Sequence, residues 1–226
     1  MKINIMKSLG FTLVDVLLAL AIIAVISGLT IPNLINYSQE QASLNQFRKV
    51  YTTLSQAYTR AAMENSSMGD TWSATEAKNY LQPYLNIAKT CLGWECNNPE
   101  GIKSLDGKTS YSGHAYQCVL ADGTTLAFYI DTYLEVQFDL NGKKPPNQHG
   151  YDVFVLDLTT KNNSPIVGWA WYMSGNNWPN DSSAYCNKGY TGTEWTRGIT
   201  CSYWILKHWN MDYLHRNISN AEWVGN

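Results

Sequence analysis

The N-terminal part of the chain carries one long run of hydrophobic side chains. Residues 11–31 are apolar or small, and Asp15 is their only charged member. At about 1.5 Å per residue, a helix of this length reaches roughly 30 Å, the thickness of the hydrocarbon core of a bilayer. Lys2 and Lys7 precede the run, as basic residues precede both signal peptides and single-span anchors. The pattern predicts a membrane-crossing helix.

Beyond Pro32 the apolar residues follow one face of a helix. They recur at alternating steps of three and four, at Leu44, Phe47, Tyr51, Leu54, Tyr58 and Ala61. Because the apolar run enters this stripe without a break, we predict one helix of about fifty residues, with a kink or melted turn at Gly28 and Pro32. An ordinary signal peptide is shorter and is removed, so we expect this helix to stay. Packing of the stripe on a sheet is favoured over a coiled coil.

A second, short helix is predicted after a break at residues 65–70. Ser73 and Glu76 have the spacing of a capping box, in which the two residues satisfy each other's backbone amides. We expect this helix to run toward Lys89, with an irregularity at Pro83, which has no amide hydrogen to donate.

The rest of the chain alternates between apolar and polar side chains with a period of two. This pattern predicts strands at His114–Ala121, Thr124–Ile130, Leu134–Leu140, Tyr151–Leu158 and Ile166–Met173. Asp122-Gly123 is a strong hairpin signal between the first two strands. Helices first and strands later predict an α+β fold with an antiparallel sheet.

The charge balance argues against one class of partner. The 226 residues include 16 lysines and arginines against 18 acidic residues. Loss of Lys2 and Lys7 with a leader would leave 14 against 18. Nucleic-acid affinity comes mostly from Lys and Arg neutralising phosphates, so no nucleic acid is expected.

All five cysteines follow the apolar run, on the side that would be exported, where disulfides form. Cys91 and Cys96 suggest one short disulfide loop and Cys186 and Cys201 another, which leaves Cys118 as a free thiol on a strand. A zinc site is the alternative, but the spacing is not C-x2-C and the four histidines add no recognised ligand pattern.

The segment 139–152 gathers oxygen-bearing side chains around glycines and prolines. Asp139, Asn141 and Asp152 could begin the shell of six to eight oxygens that a calcium ion takes. The other interpretation is a turn in which these side chains bond their own backbone. The turn is the favoured interpretation, and the sequence predicts no cofactor beyond a possible structural calcium ion.

Seven of the nine tryptophans lie between Trp169 and Trp223. Such a region could stack on sugar rings, but core packing and subunit contacts are the favoured interpretation. The sequence contains none of the motifs G-x-S-x-G, H-E-x-x-H or G-x-x-x-x-G-K-[ST], and His208 and His215 lack a recognisable nucleophile partner. We therefore expect a non-enzyme.

Residues 7–34, KSLGFTLVDVLLALAIIAVISGLTIPNL, resemble the class III signal of type IV pilins and type II secretion pseudopilins. In that family a membrane peptidase cuts after the glycine, here Gly10, and methylates the new N-terminal amine, here that of Phe11. The family's acidic residue, fifth after the cut, is matched by Asp15, although glutamate is usual. Its proline, twenty-two residues after the cut, is matched by Pro32.

The resemblance implies a structural subunit of a type IV pilus, a type II secretion pseudopilus or a competence pseudopilus. A carboxylate in hydrocarbon costs ~2.5–3.5 kcal/mol, and the family's proposed partner for Asp15 is the amine of Phe11 in the next subunit. Such a heterologous pairing propagates as an open helix. The implied partners are other pilin subunits, the prepilin peptidase and the inner membrane. The implied location is the bacterial inner membrane before assembly, then a periplasmic or extracellular filament.

The predicted fold is pilin-like α+β, with a long N-terminal α-helix packed on a C-terminal antiparallel β-sheet. Its parts are a leader peptide at 1–10, a transmembrane helix at 11–32, an amphipathic continuation at 33–64 and a globular domain at 65–226. Major pseudopilins carry calcium in a C-terminal loop, which adds to the calcium interpretation of residues 139–152. The alternatives are an uncleaved single-span anchor, a membrane-anchored adhesin or glycan-binding module using the Trp-rich region, and an anchored enzyme.

Overall fold

The structure, a computed structural model, describes residues 12–65, 72–108, 110–130, 134–158, 167–168, 186–189 and 198–224. The chain divides into two compact units, Met1–Gln41 and Ala42–Asn226. The expected cleavage site between Gly10 and Phe11 lies outside the described residues. An α+β layout, with a long apolar N-terminal helix and an antiparallel sheet after it, is confirmed.

The first helix, α1, runs from Leu13 to Asn65. It is helical through Pro32, so the melted turn expected there is absent. Pro32 has no amide hydrogen, and the bond that is lost is the one to the carbonyl of Gly28, four residues earlier. The Thr30 hydroxyl donates to the Ile26 carbonyl at 2.9 Å in the adjacent turn. The residues on both sides of this missing bond are helical.

The second helix, α2 (Ala74–Leu81), begins with the predicted capping box. The Glu76 amide donates to Ser73 Oγ at 3.2 Å, and the Ser73 amide donates to Glu76 Oε2 at 2.8 Å. Both donors would otherwise be unsatisfied at the first turn of the helix. The sequence therefore places the start of α2 correctly.

The prediction that α2 runs toward Lys89 is wrong. A single 3-10 turn at Gln82–Tyr84, which contains Pro83, follows α2, and Ile87–Thr90 is a strand, β1. Pro83 cannot donate the backbone bond that would continue the α-helix. The backbone of Ile87–Thr90 instead forms its hydrogen bonds with a later strand of the sheet.

Six strands form one antiparallel sheet in the order β1-β4-β5-β6-β7-β8. After β1, its members are β4 (Cys118–Leu120), β5 (Thr125–Ile130), β6 (Leu134–Asp139), β7 (Val153–Asp157) and β8 (Val167–Gly168). A separate ribbon pairs β2 (Ile102–Lys103) with β3 (Ser110–Tyr111). The hairpin predicted at Asp122-Gly123 is confirmed, because the Leu120 amide donates to the Thr124 carbonyl at 2.8 Å and Gly123 has a φ of 92°.

The strand predicted at His114–Ala121 is shorter than expected. Only Cys118–Leu120 is a strand, because earlier backbone groups bond to a side chain instead of to a neighbouring strand. The Asn97 amide nitrogen donates to the His114 carbonyl at 2.7 Å, and its oxygen accepts from the Tyr116 amide at 2.9 Å. Of the last predicted strand, 166–173, the structure describes only Val167–Gly168, which is β8.

The core of the unit Ala42–Asn226 is built by the second half of α1 and one face of the sheet. Phe47 lies 5.6 Å from Phe138 and 5.0 Å from Phe154, measured between ring centroids. The other buried members of the α1 stripe are Leu44, Val50, Leu54, Ala57, Tyr58 and Ala61. The amphipathic stripe is therefore a core face, as predicted, and not a coiled-coil seam.

The other face of the same sheet is buried too, and it mixes polar with apolar side chains. Its buried polar side chains are Thr125, Glu135, Gln137, Asp139 and Asp157, and its buried apolar side chains include Ala127, Val153 and Val155. Side chains of successive residues in a strand point to opposite faces, so these alternate with the apolar core residues. Helix α3 (Cys201–His208) is tied to this sheet by a bond of 2.6 Å from the Ser202 hydroxyl to the Val155 carbonyl.

Candidate functional site

The first turn of α1 holds the acidic residue singled out by the sequence. Asp15 Oδ2 accepts from the Thr12 amide at 3.0 Å and from the Thr12 hydroxyl at 2.6 Å. In return, Thr12 Oγ1 accepts from the Asp15 amide at 3.3 Å. This is a reciprocal cap of the same kind as the capping box of α2. Sequence reasoning missed Thr12, although a threonine three residues before a carboxylate at a helix start was visible there.

The first half of α1 exposes apolar side chains around its whole circumference. Its large exposed members are Leu13, Val14, Val16, Leu17, Leu18, Leu20, Ile22, Ile23, Val25, Ile26, Leu29, Ile31, Leu34 and Ile35. A helix that is hydrophobic all round is normally covered by lipid or by other protein. Within the described residues, α1 is the one helix long and apolar enough to cross a membrane.

Pro32 lies in this exposed part of α1. Its local effect is the missing bond to the Gly28 carbonyl. A Cβ added at Gly28 would meet nothing within 4 Å, so packing inside the chain does not require glycine there. A requirement for glycine at 28 would come from a neighbour outside this chain.

The loop between β6 and β7 brings together the three residues proposed as metal ligands. Asp152 Oδ2 accepts from Asn141 Nδ2 at 3.2 Å and from the Asn147 amide at 3.0 Å, and Oδ1 accepts from the Gln148 amide at 2.7 Å. Asp139 Oδ1 accepts from the Asn141 amide at 3.0 Å. These bonds are the ones expected of a turn organised by Asx side chains.

The same loop also has features that suit a cation. Asn141 Oδ1 is buried and accepts no hydrogen bond among the described residues. Burial, and then the nearby carboxylate of Asp152, raise the pKa of Asp139 to about 8, and burial raises the pKa of Asp152. A hard cation would take the free oxygen of Asn141 and relieve the repulsion between the carboxylates. The described part of the chain holds no group of three or more His, Cys, Asp or Glu residues placed to bind a metal.

The structure contains the two disulfides Cys91–Cys96 and Cys186–Cys201, which are the pairs expected from the sequence. Cys118 is a free, buried thiol on β4, and burial raises its pKa to about 11. A thiol of that pKa stays protonated at neutral pH and behaves as a small apolar side chain.

The β6–β7 loop also contains a buried histidine, which sequence reasoning did not single out. His149 is fully buried, its Nε2 shares a hydrogen bond with the Tyr111 hydroxyl, and burial lowers its pKa to about 3. It is therefore neutral at physiological pH. Its signal in the sequence was weak, because one histidine between glycines and prolines resembles any loop residue.

The tryptophans fall into two groups in the described residues. Trp72, Trp204 and Trp223 are buried in the core, and Trp94 and Trp209 are exposed. Trp169 lies outside the described residues, as do the tryptophans at positions 171, 178 and 195. The core interpretation therefore holds for the buried three, and the described part tests no surface built from the others.

Comparisons with protein-family models, with curated proteins and with solved structures find no match. The class of the protein therefore has to be argued from its own geometry.

Proposed function

We propose that this protein is a structural subunit of a helical filament, of the type IV pilus or type II secretion pseudopilus kind, cleaved after Gly10. The observation that carries the proposal is the change along α1. Its first half exposes apolar side chains on every side, whereas its second half buries one stripe in the core of its own unit. A free subunit would keep the first half in the membrane, and a filament would cover it with the same half of other subunits.

Asp15 is the residue that would register one subunit on the next. Its carboxylate is exposed and accepts two hydrogen bonds from Thr12. In the filament it would pair with the N-terminal amine of Phe11 in a neighbouring subunit, which neutralises both charges in an apolar setting. Because the two groups come from different surfaces, the contact repeats without closing.

Two measurements test this proposal. Intact mass of protein extracted from the membrane should show a chain that begins at a methylated Phe11, and a chain that retains Met1 would overturn the cleavage step. Asp15→Ala should reduce the filaments sheared from cells at least tenfold, whereas Asp15→Glu should retain them because glutamate keeps the charge. Normal filament yield from Asp15→Ala would remove the ion pair from the mechanism.

The distinction between a pilus and a pseudopilus rests on partners outside this chain. A retraction ATPase encoded beside the gene would indicate a pilus, and a secretin with its secretion partners would indicate export. The filament role needs no catalytic residue, and we propose no enzymatic activity for the chain.

We also propose that the β6–β7 loop binds calcium as a structural clip. The supporting observation is the buried, unpartnered Asn141 Oδ1 beside the carboxylates of Asp139 and Asp152. Oxygen ligands favour a hard ion over zinc or copper. The ion would stabilise the loop and supply no chemistry.

A further inference from the structure

The loop closed by the disulfide Cys91–Cys96 presents an unusual surface. In the described residues from Ala42 onward, the large apolar side chains that remain exposed are Met63, Leu92, Trp94 and Trp209. Leu92 is 78% exposed and Trp94 is 55% exposed, and both lie on this one loop. Trp209 differs, because the guanidinium of Arg48 lies 5.0 Å from its ring centroid and Tyr51 packs against its edge. We call residues 91–96 the tip loop.

The tip loop is held in one conformation at both of its ends. The disulfide joins Cys91 to Cys96, and the Cys91 amide donates to the Gln117 carbonyl at 2.9 Å. Asn97, the next residue, is buried and bonds the backbone of the segment 114–116 through its side chain. Inside the loop, the Glu95 amide donates to the Leu92 carbonyl at 3.2 Å. An apolar tip fixed in this way loses little conformational entropy on binding.

Two ammonium groups contact Glu95, which follows Trp94 in the tip loop. Lys89 Nζ lies 2.6 Å from Glu95 Oε1, and Lys143 Nζ donates to the Glu95 carbonyl at 2.6 Å. Lys144 follows in the chain and is exposed. Lys89 and Lys143 both contact Glu95, the residue after Trp94, so positive charge exceeds negative charge among these three side chains, although the whole chain has a net charge of −2. This local excess of positive charge complements an anionic partner.

We propose that the tip loop, with Trp94 as its platform and Lys89, Lys143 and Lys144 as its cations, is a docking site for an acidic polysaccharide. An indole ring offers a flat, weakly polar face that suits the C–H face of a pyranose ring. The ammonium groups suit the carboxylates of uronic acid units. Three lysines are too few for the continuous basic groove by which proteins follow a nucleic-acid strand. The site lies outside the first half of α1, so binding does not depend on the filament proposal.

The test uses the full chain in detergent micelles and immobilised polygalacturonate as the probe. Wild-type protein should bind polygalacturonate and should not bind the fully methyl-esterified polymer, because esterification removes the charge and leaves the sugar faces. Trp94→Ala should weaken binding at least fivefold, and Lys143→Gln with Lys144→Gln should weaken it and flatten its dependence on salt. Thermal melts of each variant check that the fold is retained, and Trp94→Phe should keep part of the affinity.

The controls match each change in chemistry but lie elsewhere. Met63→Ala removes an apolar side chain that is 77% exposed, and Arg60→Gln removes an exposed charge. Both should bind as wild type does. Equal binding to the charged and esterified polymers, or wild-type affinity in Trp94→Ala, would overturn the proposal. Tighter binding to an oligodeoxythymidylate than to polygalacturonate would replace it with a nucleic-acid site.

Discussion

The two halves of α1 share one helix and differ in what surrounds their side chains. Up to Gln41 its apolar residues are exposed all round, and from Leu44 they form one buried stripe that ends at Ala61. Helix propensity does not separate the halves, because both are helical. The spacing of apolar residues separates them: continuous where lipid or other subunits would cover every side, periodic where a sheet covers one side. The pattern therefore tells which half is stabilised within the chain.

The sharpest test of this contrast is a pair of truncations to alanine, one in each half. Phe47→Ala should lower the free energy of unfolding by ~3–5 kcal/mol, because it empties a core position against Phe138 and Phe154. Leu20→Ala, at a side chain 57% exposed in the first half, should leave it unchanged. Denaturant unfolding in detergent, followed by tryptophan fluorescence, measures both. Equal losses would show that the first half is also folded against the chain.

The disulfides make a second difference between the two units of the chain, since both disulfides lie in the unit from Ala42 onward. Replacing Cys186 and Cys201 with serine should cost ~3 kcal/mol, and replacing Cys91 and Cys96 should cost ~2 kcal/mol, because the entropy gained grows with the logarithm of loop length. Thermal unfolding of the two double variants gives the order. Non-reducing peptide mapping should find Cys118 unmodified, and a bridge to Cys118 would contradict the pairing.

Calcium and pH should change the stability of the unit from Ala42 onward, and they should not affect the first half of α1. At a hundred times its dissociation constant, calcium should stabilise the protein by ~2.7 kcal/mol over chelator. Asp139→Asn should keep the turn and reduce this gain, and Asp152→Ala should abolish it. A melting temperature that stays constant across millimolar calcium would leave the loop as a turn only.

The pH dependence without calcium has a definite sign. The pKa of Asp139 is raised to about 8 in the folded protein, so folding favours its protonated form. Its contribution to stability is full below the ordinary pKa of an aspartate, near 4, and is lost as pH rises through 8. In chelator, wild-type protein should therefore lose stability between pH 5 and 8 relative to Asp139→Asn. A flat difference between the two proteins over that range would contradict the raised pKa.

The smallest expected effect compares the two helix caps. Ser73→Ala should cost ~1 kcal/mol of unfolding free energy, because the Glu76 amide loses its acceptor within a packed unit. Thr12→Val removes the corresponding hydroxyl at the start of α1 and should leave global unfolding unchanged. A matched pair of denaturation curves gives both values. A loss in Thr12→Val as large as that in Ser73→Ala would mean that the first turn of α1 is coupled to the folded unit.

Sequence patterns predicted the elements whose partners are local and missed those fixed by distant contacts. The α1 stripe, the Ser73 cap and the Asp122-Gly123 hairpin depend on residues within one turn or one hairpin, so spacing alone identifies them. The sequence predicts helix at β1, because its partner strand β4 lies about thirty residues further along the chain. The stretch before Cys118 has the alternation of a strand, and its sequence does not reveal that the Asn97 side chain bonds its backbone groups.

The candidate sites divide in the same way. The sequence singles out Asp15 because it interrupts an apolar run. The hydrogen bonds from Thr12 to its carboxylate are seen only in the structure. Composition predicts the oxygen-rich loop. The lack of a donor to Asn141 Oδ1 depends on the tertiary positions of its neighbours, which composition does not give. The tip loop was read only as a disulfide, since exposure of Trp94 and the approach of Lys143 from 48 residues away are tertiary facts.

On the filament proposal, the cap between Thr12 and Asp15 has a consequence for free subunits. A carboxylate that already accepts two hydrogen bonds from its own chain is less available to other donors, so free subunits would accumulate in the membrane without associating at random. On the filament proposal, docking then exchanges one set of donors for another, and the reverse exchange returns a subunit to the pool intact. Addition and removal of a subunit would then be the two directions of one exchange of donors to Asp15, and Thr12 would supply the donors in the free subunit.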